Sequence, residues 1–118
     1  MDSDKCLDRR TFKFVLELSN LLDRMQNTRT ISIIAHQLLR SAMSIGANLN
    51  ETKSSSSRRE YKKYFEVALK SANESDYWLR LLHSQSSAEI AEIEKLSDEL
   101  NQISKMLGAS ILTIKSKL

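Results

Sequence analysis

No proline occurs anywhere in these 118 residues, and glycine occurs only at Gly46 and Gly108. Sheets and their hairpins rely on those two residue types to turn the chain, so a sequence this poor in them folds as helices with very short connections. Apolar residues return at spacings of three and four in four successive stretches, the period of a helix with one buried face. The expectation is an all-α, four-helix bundle in one domain spanning residues 1–118, with helices at about 8–25, 30–53, 58–83 and 87–117.

The first stretch places Phe14, Leu18, Leu21 and Met25 on one stripe, with Asp8 as a candidate N-cap and the polar segment 26–29 as a tight connection. The second carries Ile31, Ile34, Leu38, Ala42, Ile45 and Leu49 on one face. Its small residues Ala42, Ser44, Gly46 and Ala47 predict a close approach of the third helix there. The serine run 54–57 is too short for a domain linker and reads as a helix-helix turn, closed by a capping box of Ser57 with Glu60. Ser86 with Glu89 repeats that signature ahead of the fourth stripe, Ile93, Leu96, Leu100, Ile103, Leu107, Ile111, Ile114 and Leu118. This is the most regular stripe in the chain and predicts near-parallel packing along its whole length.

The third helix carries more apolar surface than one core can use. Tyr61, Phe65, Ala68, Ala72, Leu79 and Leu82 form one stripe, and Tyr64, Val67, Trp78 and Leu81 form a second on a neighbouring face. A small bundle needs roughly a three-in-seven apolar face per helix, so the second set is expected to form an oligomer interface, with Trp78 as its anchor. Burial of these aromatic residues in the core or between subunits is favoured over base stacking by Tyr61, Tyr64 and Trp78.

Eighteen Lys and Arg against 15 Asp and Glu give a net charge of +3, too mild by itself to imply nucleic acid. The positive charge is concentrated at the corner between the second and third helices. There Lys53, Arg58, Arg59, Lys62, Lys63 and Lys70 stand against Glu60 and Glu66, a local balance of six minus two, or +4. Repeated around an oligomer, such a patch becomes a salt-sensitive site for the phosphates of RNA or DNA, and the first turn of the third helix adds free N–H groups. The competing reading is an ordinary solvated helix face.

Catalytic and metal sites find little support. A di-iron bundle needs Glu-x-x-His pairs on facing helices, but Ile33 precedes His36 and Arg80 precedes His83 at the required spacing. Cys6 has no histidine near it in sequence and no second cysteine for a disulfide. Glu74 and Asp76 lie two apart and face different ways, so they form no acid–base pair. The acidic residues Glu89, Glu92, Glu94, Asp98 and Glu99 read as a solvated face. The expectations are a protein that is not an enzyme, has no cofactor and is cytoplasmic, with neither a signal peptide nor a membrane span.

The segments QLLRSAMSIGANLNE and FEVALKSANESDYWLRLL, in this order and followed by SILTIKSKL, resemble the bacterial four-helix bundle proteins called the 23S ribosomal-RNA intervening-sequence protein family. The resemblance covers nearly the whole chain. It implies an antiparallel up-and-down bundle that assembles as a homo-oligomeric ring, often a homopentamer, with no established enzymatic activity. Some members are encoded within ribosomal-RNA insertions. A related group is similar to the accessory proteins of diversity-generating retroelements, basic pentamers that associate with a reverse transcriptase and nucleic acid. The commonest family form has proline where Gly46 stands and alanine-glycine near Asn50 and Thr52, which puts the end of the second helix in question.

The family's polar positions fall on Arg40, Ser44, Asn48, Glu51, Glu74 and Tyr77, and a structural role is implied for them. In an antiparallel hairpin about the serine turn, Arg40 comes level with residues 71–74, within reach of Glu74. Two readings of function stay open: a nucleic-acid-associated oligomeric scaffold, and a protein-interaction scaffold with no nucleic-acid role. An enzyme would need a catalytic constellation that the sequence does not contain.

Overall fold

The computed structural model describes residues 2–117, with side chains from residue 5 onward. Four helices account for most of it: α1 (Asp2–Arg24), α2 (Arg29–Glu51), α3 (Arg58–Gln85) and α4 (Ile90–Lys115). No strand occurs among the described residues, and none of their helices is long and apolar enough to cross a membrane.

Cross-helix contacts fix the directions. Asp8 near the start of α1 meets Lys53 just past the end of α2. Ser44 meets Ser71 and Ser41 meets Ser75, so α3 runs against α2. Arg10 meets Glu99 and Arg24 meets Glu92, so α4 runs against α1. Each helix packs on its chain neighbours, α4 returns to α1, and the diagonal pairs stay apart. The extents of 47 × 21 × 19 Å suit four helices on a square with axes about 10 Å apart.

The expected stripes form the core. Phe14, Leu18, Leu21 and Met25 from α1 meet Ile34, Leu38, Ala42, Ile45 and Leu49 from α2, Phe65, Ala68, Ala72, Leu79 and Leu82 from α3, and seven α4 residues from Ile93 to Ile114. Leu118, the last position of the α4 stripe, lies outside the described residues. Each fully buried Leu, Ile or Phe contributes about 1.5–3 kcal/mol relative to exposure, so the α4 seam is the largest single source of cohesion. Thr11 is fully buried among them, and its hydroxyl has no hydrogen-bond partner.

Several local expectations are corrected. Asp8 is not a cap: α1 already runs from Asp2, and Asp8 instead pairs with Lys53. The second helix stops at Glu51 and passes into a 3-10 turn at Thr52–Ser54, where the Thr52 hydroxyl donates to the Leu49 carbonyl at 2.6 Å. Ser86 and Glu89 form no capping box. Ser86 is extended and ends α3, while Glu89 precedes α4 without a side-chain cap, because residues 86–89 are spent crossing from one helix to the next.

The small residues of α2 divide between two neighbours. Gly46 faces α1, where an added Cβ would lie 3.7 Å from the Thr11 Cγ2. The approach to α3 is made by Ser41 and Ser44 against Ser71 and Ser75. The Ser41 and Ser75 hydroxyls lie 2.8 Å apart in the core; one donates to the other, and the one that accepts donates in turn to a carbonyl of its own helix, Leu38 for Ser41 or Ser71 for Ser75. Serine is small enough for close backbones, and pairing the hydroxyls removes the cost of burying them.

Candidate nucleic-acid interface

The corner between α2 and α3 is built by short-range hydrogen bonds. Ser57 caps α3, its Oγ accepting from the Glu60 N–H at 3.1 Å. Glu60 reaches back one residue further than a standard capping box requires and accepts from the Ser56 N–H at 3.0 Å. Ser55 donates to the Thr52 carbonyl at 2.8 Å. These bonds hold the turn and aim the first turn of α3 outward, with Arg58 and Arg59 exposed at its start.

The six cations expected here do not form one cluster. Arg59, Lys63 and Lys70 are exposed and follow one stripe of α3 at helical spacing. Lys62 is half-buried and lies 3.8 Å from Glu66. Lys53 sits across the turn, 3.8 Å from Asp8 and donating to the Asn50 side chain at 3.3 Å. Arg58 turns toward the end of α4 and lines a cleft of about 480 Å³ with Ser55, Ser56, Ser57, Tyr61, Thr113, Ile114 and Lys117. Among the described residues Arg58, Arg59, Lys63 and Lys70 have no ion-pair partner, so their charge is available to a ligand. Lys117 is the residue that sequence reasoning missed; no local spacing could have joined it to a turn some 60 residues away.

On the α2–α3 side the polar positions form a separate network. Glu74 accepts from Arg40 and, at 2.8 Å, from the Trp78 indole N–H. Asn48 donates to the Ser44 carbonyl at 2.8 Å, and Ser44 accepts from Ser71 at 2.8 Å. Glu51 is exposed at the end of α2. Tyr77 is half-exposed and meets Trp78 edge-on, ring centres 5.0 Å apart. Trp78 and Leu81 pack against the core of their own chain, while Tyr64 and Val67, about three turns nearer the start of α3, are partly exposed. The second apolar set on α3 is therefore less exposed than its pattern suggests. Tyr61 tilts onto Phe65 at 5.0 Å.

The acidic residues of α4 are not merely solvated. Glu92 binds Arg24, Glu94 lies 3.2 Å from His83, and Glu99 takes a forked contact from Arg10 at 2.7 and 2.9 Å. Among the described residues no three His, Cys, Asp or Glu side chains come together as a metal site. Cys6 is half-buried and unpaired, and His36 is exposed.

The model of the 23S rRNA-intervening sequence protein family matches residues 7–109. A crystal structure of a protein of unknown function from the S23 ribosomal protein family of Bacteroides thetaiotaomicron is 30% identical to this chain. The match covers 92% of this chain and 97% of that one, with a TM-score of 0.84. No curated protein matches.

Proposed function

Since the chain belongs to the 23S rRNA-intervening sequence protein family, we propose that it is a non-enzymatic, oligomeric scaffold that binds RNA or DNA through the basic end of its bundle. The observation that carries this reading is the group of unpaired cations at the start of α3, Arg58 and Arg59 with Lys63 and Lys70 further along, beside a cleft that Lys117 also enters. Phosphate contacts add, and each is screened by salt, so one subunit binds weakly and an assembly binds well.

In this reading the copies form a ring, a homopentamer by resemblance to the family. Tyr64, Val67, Trp78 and Leu81 lie in subunit contacts, and the Arg40–Glu74 pair helps set register. The protein works in the cytoplasm. The test is RNA retention in low salt by the intact oligomer and by an Arg58→Ala/Arg59→Ala/Lys63→Ala variant. Wild type should be retained, and the variant should lose most of that retention while keeping its mass. Equal retention by both would place the site elsewhere.

The second reading is a protein-interaction scaffold, with a reverse transcriptase or another protein as partner and no nucleic acid bound. Exposed Phe12, Leu16, Ile33 and Met43 favour it. Partner recovery that survives nuclease treatment would separate it from the first.

A further inference from the structure

The outer edge of α3 is basic at its start and aromatic further on. Lys63, Lys70 and Tyr77 are all exposed and recur every seven residues, which sets them on one line along the helix at intervals of about 10 Å. Arg59, one turn before Lys63, extends the line to the beginning of α3. The carboxylates that flank it are already engaged. Glu66 lies 3.8 Å from Lys62, Glu74 pairs with Arg40, and Asp76 lies 3.1 Å from Arg80. The cations of the line therefore keep their charge, and they lead to an aromatic ring.

Tyr77 is placed as a platform and not as a core residue. It is 50% exposed, and its hydroxyl has no hydrogen-bond partner among the described residues. Trp78 meets it edge-on with ring centres 5.0 Å apart, and Trp78 is itself fixed by the bond from its indole N–H to Glu74. An edge-on neighbour covers at most one face of a tyrosine ring and leaves the other open. An open aromatic face at the end of a row of cations is the arrangement that holds single strands, since the cations track the backbone while the ring stacks a base. In a duplex the bases are already stacked and paired, so only phosphates are left for this line to hold.

Resting on the nucleic-acid reading of this bundle, we infer that the outer line of α3 binds single-stranded nucleic acid, with phosphates on Arg59, Lys63 and Lys70 and an unpaired base stacked on Tyr77. The probes are a mixed-sequence DNA oligonucleotide and the same oligonucleotide annealed to its complement, each titrated with the intact protein in low salt. Tyr77→Ala should weaken binding of the single strand about ten-fold and leave binding of the duplex within about two-fold of wild type. Tyr77→Phe, which keeps the ring, should bind the single strand as wild type does, and Lys70→Ala should weaken both forms. Duplex binding is the control for folding, because a collapsed variant loses both. Tyr77→Ala binding the single strand as wild type does, losing both forms equally, or being matched in its loss by Tyr77→Phe would overturn the inference and leave phosphate binding by the bundle standing. Wild type that binds neither form would overturn both.

Discussion

Arg10 ties α1 to α4 more firmly than any other polar side chain. Its guanidinium grips Glu99 with two hydrogen bonds, and one of its nitrogens lies 3.5 Å from the Met106 sulfur. Those hydrogen bonds hold the Glu99 carboxyl below the ordinary carboxylate range, against the opposing pull of partial burial, and push Arg10 upward in turn. A carboxylate depressed in the folded state stabilises the fold above its unfolded value of about 4.3 and loses that contribution as pH falls through the lower folded value. Both groups remain about one-third exposed, so screening keeps the pair to about 1 kcal/mol. Glu99→Gln should therefore cost about that much at pH 7, and wild type and variant should converge as pH falls through the lowered Glu99 value, as urea unfolding would register. The Arg40–Glu74 pair is more exposed, which sets it at the weak end, about 0–1 kcal/mol.

At the scale of elements, the two serine-containing corners look alike in sequence and differ in structure. Ser57 makes its cap bond to the Glu60 N–H, whereas Ser86 makes none. Ser57→Ala should lower stability by about 1 kcal/mol, and Ser86→Ala should stay within about 0.5 kcal/mol, as thermal melts of the two variants would show. The core was legible because helical spacing alone decides which residues face inward, and Phe14, Leu38, Phe65 and Leu100 follow it without exception. Helix ends were less legible, since a cap motif is satisfied or wasted according to where the chain must cross next. The division of Gly46 toward α1 and Ser41 toward α3 depends on helix rotation about the bundle axis, which a single sequence does not encode locally. Lys117 and the exposed α1 face escaped for a related reason. One is assembled from distant segments, and the other is a pair of apolar residues too sparse to read as a stripe.

Across the whole molecule the surfaces separate by chemistry. Ion pairs lace α4 to α1, exposed apolar side chains crowd α1 and α2, and unpaired cations occupy the end where α3 begins. That arrangement suits a subunit that is joined along its sides and presents charge at one end, so that copies repeat the basic patch around the assembly. In the proposed assembly several basic ends act together on phosphate, which the affinity for a mixed-sequence duplex as a function of salt reports, with the oligomer's mass measured in the same buffers. Log affinity should fall linearly with log salt at a slope steeper than about 5, since the four unpaired cations of one subunit, at about 0.9 each, supply only about 3.6. No binding in low salt, or binding that hardly changes with salt, would contradict it.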